Sequence, residues 1–134
     1  MKSDINTPEV KNVTFAIIRK QNELGEMIWE VHLLNNNNFP LENILVMSRG
    51  YGEKEGKYVE TSTLRHFFDE IPAKESLLIE PIDPALFTLN NEYGLTYYIE
   101  REIFFKKFTF TPAAMDDQHL THIESLNAEG ILHS

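Results

Sequence analysis

Apolar and polar residues alternate in short runs, and this two-residue period constrains the fold of the chain more than any other feature. Trp29, Val31 and Leu33 alternate with a glutamate and a histidine, and four asparagines followed by Phe-Pro interrupt the pattern before residues 44–47 resume it. Because the side chains of a strand point alternately to its two faces, residues 29–52 predict a strand, a turn and a second strand. We expect Trp29, Val31 and Leu33 to anchor the core.

The same period continues along most of the chain. No long segment among these runs repeats every 3.6 residues, and a parallel sheet would need such helices for its crossovers. The sequence therefore predicts an all-β fold, a single antiparallel β-sandwich of about seven short strands. The predicted strands are residues 13–19, 27–34, 44–48, 59–68, 76–80, 93–100 and 103–111.

The ends of the chain and one glycine-bearing segment are predicted to lie outside these strands. A chain of 134 residues fits one domain, with residues 1–9 as a loose leader and 10–111 as the sandwich. Residues 112–134 are expected to pack on the sandwich as a tail. Within the tail, apolar residues recur every third position between 115 and 126, which fits a short helix, a 3₁₀-like turn or an extended segment. The polar segment 49–58 is predicted to be a mobile loop.

Two connections resemble those of immunoglobulin-like sandwich domains. The segment LLN at 33–35, a polar loop and PLEN at 40–43 are similar to the connection between the second and third strands of such domains. IPAKES at 71–76 is similar to their turn of proline, small residue and charged residue. The resemblance implies an immunoglobulin-like fold, but it implies no particular function, because one fold serves many functions.

The whole chain also resembles a set of short uncharacterised proteins of the Bacteroidetes. The motifs are LNN, SRGY, TSTLRH ahead of IPAKE, LNNEYG, KKFTF and the closing Gly130-Ile131-Leu132, which is apolar enough to dock on the body. Some of these proteins are named phenylalanyl-tRNA synthetase alpha subunit. A class II aminoacylation site needs a large sheet with long helices and ATP-binding arginines, for which 134 residues without such helices leave no room. We therefore expect no synthetase activity.

Composition narrows the classes of partner and chemistry. The formal net charge of −9 opposes non-specific binding to nucleic acid and to anionic membranes. The absence of cysteine excludes disulfides, thiolate catalysis and cysteine-based metal centres. No segment has the apolar length of a signal sequence or a membrane span, so the expectation is a cytoplasmic protein.

The motifs that carry common chemistry are missing or incomplete. The glycines at 50–56 match neither a P-loop nor a dinucleotide fingerprint, so no phosphate-binding cofactor is expected. His119 and His122 would share a face of a helical tail, but such pairs are more often surface residues than metal ligands. Ser48, His66 and Asp69 could form a triad only on paper, because no nucleophile elbow surrounds the serine. The sequence thus predicts no catalytic residue, no cofactor and no metal site.

Aromatic residues supply the one candidate interaction surface. In the dipeptides at 97–98 and 104–105, one member of each must point away from the core if both lie in strands. The candidate surface is Tyr51, Tyr97, Tyr98, Phe104 and Phe105, unless the C-terminal tail covers that face. The predicted function is a non-catalytic binding or assembly module that contacts another protein or a second copy of itself through this face or an edge strand. The alternative is a carbohydrate- or small-ligand-binding sandwich that uses exposed tyrosines and the 49–58 segment.

Overall fold

A computed structural model describes residues 8–134 and shows an all-β chain of ten strands in two antiparallel sheets. Among these residues the only helical elements are short 3₁₀ turns, at Pro84–Thr88, Pro112–Met115, Asp117–His119 and Glu124–Leu126. The predicted leader lies outside the described residues except for Pro8 and Glu9. The strands are β1 (Val13–Gln21), β2 (Met27–Asn35), β3 (Leu41–Lys54), β4 (Lys57–Glu60), β5 (Leu64–Ile71), β6 (Ser76–Pro81), β7 (Asn90–Ile99), β8 (Glu102–Phe110), β9 (Thr121–Ile123) and β10 (Ala128–His133).

The two sheets contain five strands each. Sheet A has the order β6-β2-β1-β10-β9. In sheet B the long strand β3 pairs with β7 on one side and with both β4 and β5 on the other, and β8 follows β7 at the far edge. In the part of the chain that the model describes, no helix is long and apolar enough to cross a membrane.

The core lies between the sheets and is built from the inward face predicted by the alternation. Val31 and Leu33 are fully buried, as expected. Trp29 lies on the same face but is only partly buried, with its ring against that of Phe87 at 5.0 Å. Phe15 of β1 contacts aromatic rings of β7 and β8, so it joins the two sheets at the centre of the core.

The segment predicted as a mobile loop, 49–58, is instead a β-hairpin. It contains the end of β3 and the start of β4, with Lys54 paired to Lys57. The two turn residues, Glu55 and Gly56, have φ values of 54° and 78°. Positive φ at both central residues is the property of a type I′ turn, whose twist matches that of the flanking strands. The hydrophilic composition obscured the strand because both faces of this hairpin carry polar residues.

Of the three structures that fit residues 115–126, the short helix is not found, and the 3₁₀-turn and extended alternatives are. These residues form short 3₁₀ turns and the strand β9, and the last strand, β10, pairs with β1 inside sheet A. The tail is therefore part of the sheet. Gly130 fits here because a Cβ atom at this position would lie 2.6 Å from the carbonyl oxygen of Ile17. Ten strands replace the seven expected, because the predicted strand 59–68 is two strands and the tail contributes two more.

The asparagine-rich connection between β2 and β3 is held by one buried side chain. Asn35 is fully buried, and its Nδ2 donates to the carbonyl oxygens of Phe39, Ile71 and Pro72 at 3.0, 3.1 and 3.1 Å. Its Oδ1 accepts from the backbone amide and the side-chain amide of Asn37, both at 3.0 Å. Asn35 thus ties the β2–β3 connection to the turn between β5 and β6.

Candidate functional site

Four neighbouring strands of sheet B align their outward side chains in rows across the sheet. Phe67 of β5 is paired with Leu45 of β3, Leu45 with Thr96 of β7, and Thr96 with Phe105 of β8. We refer to these four residues as the apolar row. Directly opposed residues on antiparallel strands have Cβ atoms about 5 Å apart, so the row is continuous across the outer face of sheet B.

The two ends of the apolar row are open to solvent, and Leu45 and Thr96 between them are half-buried. Phe67 is 75% exposed and Phe105 is 50% exposed, as is Ile103 in the adjacent row. The C-terminal tail, which could have covered this face, joins sheet A through β9 and β10. Contiguous exposed apolar side chains of this kind mark contact surfaces more often than single exposed residues do.

Charged residues flank the apolar row, with opposite signs on its two sides. On one side, the next row begins at Arg65 on β5 and ends at Lys107 on β8; we call it the cationic row. On the other side, Glu70 on β5 lies opposite Glu42 on β3, and these two begin the acidic row. The outer face of sheet B is thus apolar in the middle and carries a charge gradient along the strand direction.

Of the five residues predicted to form an interaction surface, three point outward and two point inward. Tyr98 and Phe105 lie on the outer face of sheet B, and Tyr51 lies on the same face further along β3. Tyr97 and Phe104 are 1% and 9% exposed, so their prediction as surface residues was wrong. Neighbours along a strand face opposite sides, and this inner pair stacks with ring centroids 5.1 Å apart.

Tyr51 is partly covered by a neighbouring cation. The guanidinium of Arg49 lies 4.6 Å from the centre of the Tyr51 ring. Arg49 also contacts Glu60 at 2.9 Å and Glu92 at 3.5 Å, so it is held in place by ion pairs. One face of the Tyr51 ring is therefore occupied, which weakens the case for this ring as a platform for a sugar.

A second candidate site is centred on Glu80, a buried carboxylate of β6. The register between β2 and β6 shifts at Val31/His32, where a β-bulge turns Glu80 toward the space between the sheets. Ser48 of β3 donates a hydrogen bond to Glu80 Oε1 at 2.8 Å, and His66 Nε2 of β5 lies 2.6 Å from the same oxygen. Glu80 therefore connects sheet A to two strands of sheet B.

This cluster differs from the triad of Ser48, His66 and Asp69 that was considered from the sequence. Asp69, the third member of that triad, is exposed and takes no part. The carboxylate stands between the serine and the histidine, because both bond the same oxygen of Glu80. A hydrolase triad needs the histidine to bond the serine directly, so this order does not activate Ser48 as a nucleophile. Sequence reasoning missed Glu80 because simple alternation from Leu77 places it on the outer face of sheet A.

The histidines of the tail do not come together as ligands. His119 lies in a 3₁₀ turn and His122 lies in β9, and both are exposed. Within residues 8–134 no group of three or more histidine, cysteine, aspartate or glutamate side chains is placed to hold a metal ion.

No known protein-family model matches the chain, and no curated protein matches it either. A functional assignment must therefore rest on the outer face of sheet B and on the Glu80 cluster.

Because two tyrosines are buried, we expect the protein to lose stability at alkaline pH. Burial raises the pKa of Tyr97 to about 12, although a hydrogen bond with the Lys11 backbone opposes the shift. Burial, and secondly the charge of Glu80, raise the pKa of Tyr93 further. Because both folded-state pKa values exceed the ordinary value of about 10, the unfolded chain ionises first and stability falls as the pH rises above about 10. We expect the melting temperature to drop in this range, and to drop less in Tyr97→Phe. An equal drop in the variant would contradict the assignment to Tyr97.

Proposed function

We propose that this chain is a non-catalytic assembly module that associates with a second copy of itself through the outer face of sheet B. The observation that supports the proposal is the arrangement of an exposed apolar row between a cationic row and an acidic row. A module of this kind needs no cofactor. From the connections at 40–43 and 71–76 we also propose that its two sheets are related to immunoglobulin-like sandwiches.

The charge pattern selects one way of pairing two copies. If two copies pack face to face about a twofold axis that runs along the apolar row, each apolar row meets its own copy and each cationic row meets the partner's acidic row. Arg65 of one copy then lies opposite Glu70 of the other. A twofold axis along the strands would instead place the two cationic rows together, which costs free energy through like-charge repulsion. An isologous interface must be complementary to itself, and only the first axis meets that requirement.

The face is favoured over the edge strands, the other route to association. β8 carries Lys106 and Lys107, β6 ends at Pro81, and β9 has only three residues. Lysine, proline and short length are the features by which natural edge strands avoid pairing with other strands. β5 carries charged residues in the same way, including Arg65.

The size of the surface predicts a weak dimer. Four strands spaced about 4.8 Å apart and three rows spaced about 7 Å apart cover roughly 400 Å². A standard interface buries about 800 Å² on each partner, and smaller ones belong to transient complexes. We therefore expect a dissociation constant in the micromolar range.

Sedimentation equilibrium across a concentration series up to about 500 µM, which covers weak interfaces, is expected to show a monomer–dimer equilibrium. Phe67→Glu should abolish the dimer, because it places a charge in the apolar row. Leu24→Glu is the matched control, since Leu24 is 83% exposed but lies in the turn between β1 and β2. A wild-type protein that stays monomeric throughout the series would contradict the proposal.

A charge exchange tests the predicted axis. Arg65→Glu and Glu70→Lys should each weaken the dimer, because each places like charges opposite one another. The double variant restores opposite charges and should recover much of the affinity. If the two single effects simply add in the double variant, the copies do not pack about the axis proposed here.

A further inference from the structure

A cleft beside Glu80 opens on the side of the molecule where β5 and β6 meet. Its volume is about 140 Å³. The loop after β4 and the 3₁₀ turn after β6 form its walls, and Ser48, Glu80 and Tyr93 line its inner end. Ser48 is 5% exposed, Glu80 9% and Tyr93 1%. Burying a carboxylate and a hydroxyl costs free energy unless both are hydrogen-bonded, so polar groups placed here need partners.

Three side-chain hydrogen-bond donors of the cleft lining are already used within the protein, and the Arg49 guanidinium, also in the lining, is paired with Glu60 and Glu92. The Ser48 hydroxyl donates to Glu80 Oε1 at 2.8 Å. The Asn91 side-chain amide donates to the carbonyl oxygens of Leu86 and Leu89 at 2.9 and 3.2 Å. The Thr61 hydroxyl donates to the carbonyl oxygen of Ser62 at 2.9 Å. The donors of Ser48, Asn91 and Thr61 are therefore not available to a ligand, which leaves the hydroxyls of Ser62 and Tyr93 and the carboxylates of the lining.

Glu80 is the buried carboxylate of this cleft. Its bonds from Ser48 and His66 both end on Oε1. Among the hydrogen bonds made by residues 8–134, none ends on Oε2. Asp83 adds a second carboxylate to the lining, and its Oδ1 accepts from the amide of Ala85. Glu80 Oε2 is therefore free to accept a hydrogen bond from a ligand in the cleft, and such bonds are strongest from a positively charged donor.

We propose that this cleft binds a primary ammonium group, which donates to Glu80 Oε2. The volume fits a ligand of about six non-hydrogen atoms, because a protein cavity of about 150 Å³ accommodates benzene. The net charge of −9 raises the local concentration of small cations. The ammonium group can come from a free small amine or from a lysine side chain, and both present the same chemistry to Glu80.

This site is independent of the outer face of sheet B. Glu80 belongs to sheet A and faces the space between the sheets, whereas the apolar row lies on the opposite side of sheet B. Dimerisation and amine binding can therefore fail separately.

Titration of the isotope-labelled protein with ethylammonium, followed by NMR, is expected to shift amide resonances of the cleft residues in a saturable way. Ethanol and propionate, which have similar size but no positive charge, should not produce these shifts. Glu80→Gln keeps the shape and should weaken binding about tenfold or more, the factor expected when a hydrogen bond to a charged group is lost. Glu30→Gln is the matched control, because Glu30 is also 9% exposed but lies on the outer face of sheet A.

A second variant keeps the test decisive if Glu80→Gln fails to fold. Ser62→Trp places a large side chain at the exposed rim of the cleft without removing a buried polar group, and it should also abolish the shifts.

A parallel titration with Nα-acetyl-lysine methylamide separates the two sources of the ammonium group. Binding at least as tight as that of ethylammonium indicates a lysine side chain, and tighter ethylammonium binding indicates a free amine. Equal shifts with ethanol, no saturable shift with either amine, or unchanged binding in Ser62→Trp would overturn the proposal.

Discussion

Asn35→Asp is expected to lower the free energy of unfolding by about 4 kcal/mol or more, the cost of a buried charge without a partner of opposite sign. The substitution hardly changes the shape of the side chain. However, it replaces the Nδ2 group, which donates to three carbonyl oxygens, with an acceptor. Because proteins of this size are stable by only about 5–15 kcal/mol, this loss is a large fraction of the total. Urea unfolding followed by circular dichroism measures it directly.

Asn38→Asp is the matched control for this prediction. Asn38 lies three residues further along the same connection and is exposed. Asn38→Asp introduces the same charge into the same stretch of sequence. Surface substitutions of this kind usually change stability by no more than about 0.5 kcal/mol. Similar losses in the two variants would mean that net charge, and not the buried hydrogen bonds of Asn35, determines the effect.

The effect of Asn35→Asp should also depend on pH. A buried aspartate has its pKa raised above the ordinary value of about 3.9, since burial disfavours the charged form. The unfolded state therefore ionises first, and the variant loses stability relative to the wild type as the pH rises above about 4. A difference between variant and wild type that stays constant with pH would contradict burial of the new carboxylate.

Phe15→Ala is expected to cost about 3–5 kcal/mol, the range for removing a large aromatic side chain from a core. Phe15 is fully buried, and its ring centre lies 5.2 Å from that of Tyr93 and 4.9 Å from that of Phe108. Through these two rings, β1 of sheet A contacts β7 and β8 of sheet B. Its loss leaves a cavity between the sheets that the surrounding strands fill only in part.

Phe67→Ala makes the same change on the exposed side of sheet B. Phe67 is 75% exposed, so its removal should change the stability of the monomer by only about 0.5 kcal/mol. Urea unfolding of both variants, at concentrations too low for association, gives the comparison. Equal losses would contradict the assignment of Phe15 to the inner face and Phe67 to the outer face.

The two-residue period was enough to predict most of the strands and their inward faces. Val31 and Leu33 are fully buried, as the alternation required, and Tyr98 and Phe105 face outward as members of dipeptides with one inward residue. The period succeeds because one face of each of these strands packs into the core between the sheets, so a shift of one residue would reverse every side chain.

Pairings between distant parts of the chain were not predictable in the same way. The tail contains apolar residues at a spacing that fits several structures, and only its pairing with β1 makes residues 128–133 a strand. The apolar row likewise depends on the register of four strands. Of its two exposed aromatic residues, Phe105 was identified from the sequence and Phe67 was not. Register between strands is a tertiary property, because it is set by partners and not by the period of one strand.

Val31 and Leu33 show where the sequence is sufficient, and Asn35 and Glu80 show where it is not. The period places Val31 and Leu33 inward, but the predicted strand ends at residue 34 and the asparagines were assigned to a connection; the structure continues β2 to Asn35, which is buried on the same face and hydrogen-bonded. The same period places Glu80 outward. Only the register shift between β2 and β6 turns it inward to meet Ser48 and His66. The tertiary structure decided this site because a bulge forms between two strands, and its extra residue reverses the alternation beyond it.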